Sequence, residues 1–310
     1  MKTRKLVLII ADVLLLAVCI LQGVIKAHDG AKYFEFDAEP DEYTIVTPAE
    51  SIHLVKEGDD WFINNQKYKA NAGIVDQFAD SINYIRALDK VGTASDASLE
   101  RYELLDGKKI SVTVSKEGKQ LRSVEIGKEA TSGSQCYITI DGGKEIYLAA
   151  GNLRESFDKT IETLRYKGVW NIDKNALGSV LITPADGESW GVTRMGSGTD
   201  IAWNFTGAET EGIEIDAKKA SDWFDSIATI ITSSWYSDNT KAEDLGGNLI
   251  ATAKVGYNYN TAAISLYEIP AVSENGQTNY YGTSSETPYV FALAPYQIEK
   301  FTKKPAELGL

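Results

Sequence analysis

The feature that most constrains this chain is an apolar run near its N-terminus. Residues 6–25 read LVLIIADVLLLAVCILQGVI, and Asp12 is the one charged side chain among them. A helix of that length is about 30 Å long, which matches the hydrocarbon thickness of a bilayer. The run therefore predicts one transmembrane helix, with the lipid bilayer as its partner through residues 6–25.

The charges on either side of the run predict its orientation. Lys2, Arg4 and Lys5 precede it, whereas acidic residues dominate the stretch that follows Lys26. The positive-inside rule then predicts a single-pass protein of the cell membrane, with a cytoplasmic N-terminus and an extracytoplasmic C-terminal part. A cleaved secretory signal is the alternative, although it would need a shorter apolar stretch and a small-residue cleavage site. Asp12 is a candidate for an intramembrane contact, or else it stays near the cytoplasmic interface.

Composition limits what the rest of the chain can do. The 310 residues include 31 Lys and Arg against 44 Asp and Glu, which gives a formal net charge of −13. Because nucleic-acid binding needs a basic surface, we expect no nucleic-acid partner. The two cysteines cannot build a disulfide scaffold, and the two histidines lack the spacing of a zinc site. We therefore predict neither a metal nor a cofactor.

Hydrophobic periodicity divides the remaining chain into two similar units. In the first unit, a hairpin turn at residues 57–60 is followed by an amphipathic helix that starts at Asn71 and runs to Leu88. Alternating strands and a terminal helix come next. The second unit repeats this order, and its Phe224 lies 146 residues after Phe78. This order predicts an α+β fold with two tandem units, each an antiparallel sheet with packed helices.

The predicted boundaries follow from these patterns. They are residues 1–26 for a cytoplasmic stub and transmembrane anchor, 27–43 for a tether, 44–170 for the first α+β unit and 171–310 for the second.

Several stretches of the first unit resemble one bacterial family. They are Ile52 to Ile63 with Trp61 after the hairpin turn, the strand end Val124-Glu-Ile-Gly127, the pair Ile146-Tyr147, and Leu164-Arg-Tyr-Lys167. With these motifs the chain is similar to domain-of-unknown-function family 4340 over roughly residues 45–300, most clearly over 51–170. The resemblance implies an extracytoplasmic, membrane-tethered protein that accompanies transporter components of the ATP-binding-cassette (ABC) type. It implies no catalytic residues.

Aromatic residues are the strongest indication of a binding surface. Five of the six tryptophans lie at or after residue 170. Because Trp and Tyr supply much contact area at low entropic cost, they dominate binding hot spots. We therefore take Trp190, Trp203, Tyr280 and Tyr281 as a candidate partner or ligand surface. The alternative is that these rings pack in the core.

No catalytic constellation is evident. Ser156-Phe-Asp-Lys159, Ser237-Asp-Asn239 and Lys254-Val-Gly256 imitate the penicillin-binding motifs, but Ser237 and Lys254 are too close in sequence for that fold. We expect a non-enzymatic extracytoplasmic accessory or binding protein, tethered to the cell membrane and associated with subunits of an ABC-type transport or envelope complex. The alternative is a glycan- or peptide-binding module that uses the aromatic residues of the second unit.

Overall fold

The computed structural model of the protein describes residues 13–19, 30–131, 133–196, 200–207, 209–269 and 278–309. The chain divides into two compact units, Met1–Tyr166 and Lys167–Leu310. The second unit thus begins four residues before the predicted position. It does so because β11 (Gly168–Asn171) pairs with β15 (Thr229–Ile231), which belongs to the same unit.

The predicted fold with an N-terminal transmembrane helix is wrong. Residues 13–19 are helical and are labelled α1. Among the described residues, no helix is both long enough and apolar enough to cross a membrane. Asp12, the candidate intramembrane contact, lies outside the described residues.

The first unit is built on one antiparallel sheet in the order β1-β6-β10-β9-β8-β7-β2-β3-β4-β5. Its strands are β1 (Lys32–Glu35), β2 (Glu42–Val46), β3 (Ser51–Glu57), β4 (Asp60–Ile63), β5 (Tyr68–Lys69), β6 (Tyr84–Thr93), β7 (Ile110–Lys116), β8 (Lys119–Glu129), β9 (Gln135–Ile140) and β10 (Glu145–Ala150). Its further helices are α2 (Ala72–Asn83), α3 (Asp96–Arg101), α4 (Leu153–Phe157) and α5 (Ile161–Leu164). Strand β1 lies within the predicted tether and pairs with β6.

Helix α2 covers the core face of this sheet. The Asn71 side chain accepts a hydrogen bond from the Gly73 N–H at 3.1 Å and caps the helix. Phe78, buried on the inner face of the helix, stacks on Phe157 of α4 with ring centroids 4.9 Å apart. The helix ends at Asn83, five residues before the predicted end, because the next residues continue as β6.

The second unit is built on an antiparallel sheet in the order β14-β13-β12-β17-β18-β19-β20-β16, with β11 and β15 as a separate pair. Its other strands are β12 (Leu177–Pro184), β13 (Trp190–Met195), β14 (Ala202–Gly207), β16 (Ser234–Trp235), β17 (Asn248–Tyr257), β18 (Asn260–Ile269), β19 (Asn279–Ser284) and β20 (Thr287–Leu293). Its helices are α6 (Ala217–Ile227) and α7 (Pro295–Glu299), and Ala242–Leu245 and Pro305–Leu308 form 3₁₀ turns.

The two units share one topology. The order β6-β10-β9-β8-β7-β2-β3-β4 in the first unit matches β16-β20-β19-β18-β17-β12-β13-β14 in the second. The short strand β1 pairs with β6, as β11 pairs with β15. The long helix follows the same edge hairpin in both units. The internal repeat is therefore present in the strand order and in the position of the long helix.

A glycine on β13 allows a close approach to the neighbouring strand. A Cβ atom added to Gly191 would lie 2.5 Å from the Val180 carbonyl oxygen, whereas one added to Gly178 would come no closer than 3.8 Å to its nearest neighbour, the Gly256 carbonyl oxygen. We predict that Gly191→Ala lowers the free energy of unfolding by about 1–3 kcal/mol through overpacking, and that Gly178→Ala has little effect. Thermal unfolding of the two variants measures the difference. Equal melting temperatures would contradict the predicted crowding.

Candidate binding groove

A groove of about 500 Å³ opens beside β14 in the second unit. Strand β14 forms one wall, with Trp203 and Phe205 facing the groove. Residues 210–217 form the other wall, to which Ile213 and Ile215 contribute apolar side chains. Both walls therefore contribute apolar side chains, while most of the surface that faces the groove is polar.

The alternation of β14 accounts for this lining. Trp203 and Phe205 are half-buried, whereas Ala202, Asn204 and Thr206 between and beside them are exposed. Successive side chains of a strand point to opposite faces, so the two rings lie on the same face of the sheet. That face carries helix α6.

An aromatic cluster beneath the groove fixes the position of the two rings. The Trp203 ring packs edge-on against Phe224 of α6, with ring centroids 4.7 Å apart. Phe205 packs edge-on against Trp190 at 6.4 Å, and Trp190 stacks on Trp223 at 5.5 Å. Because these neighbours are buried, the groove wall rests on tightly packed rings whose positions are set by the sheet and the helix.

Strand β14 is an edge strand. It pairs with β13, from Met195 opposite Ala202 to Trp190 opposite Gly207. In the described part of the chain, no strand pairs with its other side. An unpaired edge presents a row of backbone N–H and C=O groups that can accept another strand.

The corresponding edge in the first unit is covered. Strand β5 pairs with β4, where Tyr68 lies opposite Ile63. Directly after β5, the Ala70 N–H donates to the Trp61 carbonyl oxygen at 2.8 Å. The chain therefore returns along β4 and pairs with its edge before α2 begins.

The residues before the long helix identify the equivalent segment of the second unit. In the first unit, Ala70 forms an isolated bridge with Arg165, and the Asn71 N–H donates to the Leu164 carbonyl oxygen at 2.7 Å. The next residue begins α2, and Asn71 is its cap. A short strand segment, a bridge and a cap thus occur in this order.

The second unit keeps the bridge and the cap but lacks the covering strand. Ile215 forms an isolated bridge with Gly309, and the Asp216 N–H donates to the Leu308 carbonyl oxygen at 2.9 Å. Asp216 then caps α6. Ile215 therefore corresponds to Ala70, yet the groove separates the segment before it from β14. The groove lies where β5 lies in the first unit.

The groove is acidic at its rim. Residues 200–216 contain five Asp and Glu and no Lys or Arg. Glu214 lines the groove opposite β14, and Glu209 and Glu211 are exposed earlier in the same segment. The backbone N–H groups of Lys219 and Lys218 hold the pKa of Asp216 below its usual value, so this cap stays ionised. The local charge favours a cationic ligand.

The structure separates the four predicted surface residues. Trp203 lines the groove, and Trp190 lies beneath it with 3% of its surface exposed. Tyr281 is 1% exposed and stacks on Tyr267, with ring centroids 4.8 Å apart, while Tyr280 is half-buried against the core. Strand β19, which carries both tyrosines, lies five strands from β14, about 24 Å at the usual strand spacing. The four residues therefore do not form one surface.

The burial of Trp190 and Tyr281 has a physical cause. Trp190 lies in the core cluster of the second unit. Tyr281 points to the face opposite Tyr280, where Tyr267 and the backbone of Ala242 and Gly247 cover it. The groove residues that the sequence analysis did not single out are Phe205, Ile213 and Ile215. The alternation of Trp203 and Phe205 was the available signal, but strand order was needed to show that they lie at an edge.

The side chains considered for catalysis make local contacts. The Ser156 hydroxyl donates to the Asn152 carbonyl oxygen at 3.3 Å, and the Lys159 ammonium donates to the Glu155 carbonyl oxygen at 2.8 Å. The Ser237 hydroxyl lies 2.7 Å from that of Thr240. Within the described residues, no group of three His, Cys, Asp or Glu side chains is placed to hold a metal ion, and we assign no cofactor site.

A comparison with protein families found one match. The family described as "Domain of unknown function (DUF4340)" matches residues 61–247, more than half of the chain. The matched segment begins at Trp61 of β4 and includes the whole groove. Comparisons with curated proteins and with solved structures found no match.

The buried thiol of Cys136 provides a test of chemical reactivity. Burial raises its pKa to about 11, so the thiol stays protonated and unreactive at pH 8. We predict that iodoacetamide at pH 8 leaves Cys136 unmodified in the folded protein and modifies it after denaturation. Peptide mass spectrometry measures both, with the exposed Cys19 as the internal control. Alkylation of Cys136 at the rate of Cys19 would contradict the predicted burial.

The hydroxyl of Tyr281 provides a test of its role in the core. It donates to the Ala242 carbonyl oxygen at 3.0 Å and accepts from the Gly247 N–H at 3.2 Å. We predict that Tyr281→Phe lowers the free energy of unfolding by about 1–2 kcal/mol, because both backbone groups lose a partner. Tyr280→Phe is the matched control with little expected effect, and chemical denaturation measures both. Equal unfolding midpoints would contradict the structural role.

Proposed function

The chain belongs to the DUF4340 family, and we propose that it is a non-enzymatic binding protein whose second unit captures a partner protein in the groove beside β14. The single observation that carries this proposal is a groove lined by Trp203, Phe205 and Glu214 next to a strand edge that no other described strand pairs with. Sheet edges are usually short, charged, bulged or covered, so an open edge beside aromatic rings calls for a binding role.

The lining of the groove supports binding of a protein more than of a small molecule. Ile201 and Trp203 at one wall, and Ile213 and Ile215 at the other, place apolar side chains in the groove among polar ones such as Asn204, Thr210 and Glu214. Apolar centres with polar rims are the usual anatomy of protein interfaces. A peptide would also satisfy the backbone groups of β14, which a glycan could contact only through its hydroxyl groups. For this reason we favour a peptide over a glycan as the ligand.

The cellular setting is part of the proposal. We propose that the protein acts outside the cytoplasm at the cell membrane, as an accessory of an ABC-type transport or envelope complex. This part rests on the resemblance described above and on the strongly acidic composition, with 44 Asp and Glu residues, which disfavours nucleic acid as a partner. The partner in the groove would then be a subunit of that complex.

Site-specific crosslinking tests the groove as the capture site. We predict that p-benzoylphenylalanine in place of Asn204 crosslinks in cells to a subunit of a membrane complex, because Asn204 is exposed on β14 beside the groove. The same substitution at Lys254, exposed on β17 of the same sheet, is the matched control. Mass spectrometry of the crosslinked bands identifies the subunit.

The crosslink should disappear when the apolar wall is removed. Trp203→Ala combined with Phe205→Ala should abolish the Asn204 crosslink, and circular dichroism checks that the variant is folded. Crosslinks of equal yield and identity from Asn204 and Lys254 would contradict the proposed capture site. So would a crosslink that the double variant leaves unchanged.

A further inference from the structure

We infer that the groove accepts an extended, basic segment of a partner protein as an additional antiparallel strand on β14. This inference rests on the proposed function and adds to it the mode of binding and the chemistry of the ligand. Apolar side chains of the segment would face Trp203 and Phe205, and its Lys or Arg side chains would face the carboxylates of residues 209–214.

The first unit contains an internal template for this arrangement. Strand β5 (Tyr68–Lys69) occupies the equivalent edge of β4, and Lys67 directly precedes it. The Lys67 ammonium lies 2.8 Å from the Glu57 carboxylate, and the Lys69 ammonium lies 2.9 Å from Asp60. In the first unit, the edge of β4 is thus covered by a short strand with lysines. In the second unit, no described strand pairs with the equivalent edge of β14.

The length of the open edge sets the length of the ligand. Strand β14 has six residues, which extend about 20 Å at the usual rise of a strand. Strand β5 has only two residues. A ligand that used the full open edge would therefore contribute about six residues in extended conformation, and every second backbone N–H would pair with β14.

The charges favour a basic partner over a second copy of this chain. An edge-to-edge dimer through β14 would bring together two segments that each carry five acidic and no basic residues between 200 and 216. Like charges at such a contact oppose association, whereas Lys and Arg of a different protein would be attracted. The nearest lysines lie beyond this segment, where the Lys219 ammonium donates to the Gly309 carbonyl oxygen at 2.7 Å and Lys218 pairs with Asp222.

A random peptide library tests the ligand chemistry. Displayed eight-residue peptides are selected on the full chain, and binders that also bind the variant with Trp203→Ala and Phe205→Ala are removed. We expect the enriched peptides to alternate apolar residues with Lys or Arg. Enrichment of acidic or purely apolar sequences, or no enrichment over the variant, would overturn the inferred chemistry.

Backbone methylation tests the mode of binding. Each backbone N–H of the most enriched peptide is methylated in turn, and the affinity is measured by calorimetry. Strand pairing predicts a loss of about tenfold or more at every second position and little loss between them. Binding should also slow the amide hydrogen exchange of residues 202–206. Equal tolerance at all positions, together with unchanged exchange, would overturn strand addition but leave the groove as the capture site.

Charge reversal tests the acidic rim. Glu209→Lys, Glu211→Lys and Glu214→Lys together should lower the affinity of the protein for the peptide by about tenfold or more at low salt. The control carries the same change of net charge at three exposed residues of the first unit, Asp59→Lys, Glu100→Lys and Glu117→Lys. Equal weakening in both variants would overturn the role of the rim. The Asn204 crosslink in cells tests the proposed function separately, because it requires neither strand pairing nor a basic ligand.

Discussion

The hydrogen-bonding demand of a sheet edge is the constraint on which the rest of this structure depends. Each unit has a hairpin strand, β4 or β14, at the same end of its main sheet. The outer backbone groups of this strand need partners or water. The first unit supplies β5 from its own chain. The second unit repeats the hairpin, the bridge and the capped helix, but it leaves a groove instead of the covering strand. The edge strand β4 is therefore covered by its own unit, whereas β14 has no described strand on its outer side.

Much of each unit could be predicted from local sequence. The spacing of Phe78 and its neighbours predicted α2, and the pattern around Phe224 predicted α6, because one face of each helix is buried. The end of α2 was misplaced by five residues, since Ile85 and Leu88 fit a helical face and a strand equally well. The predicted transmembrane fold was wrong, because no helix among the described residues is both long enough and apolar enough to cross a membrane.

The groove could be predicted only in part. Trp203 lines it, but Trp190 and Tyr281 have the same residue types and are buried. Sequence gives no direct measure of the depth of an aromatic side chain, because depth depends on which strands are central and which are at the edge. The position of β14 at the edge depends on pairings between residues distant in sequence. Internal comparison of the two units supplied what local patterns could not.

The bridge between Ile215 and Gly309 links one wall of the groove to the last residues of the chain. The Lys219 ammonium strengthens this link through the Gly309 carbonyl oxygen. Substitutions at Gly309 would therefore disturb the wall that lies opposite β14. Fluorescent labels for interaction studies are better attached within the first unit, where they leave this bridge undisturbed.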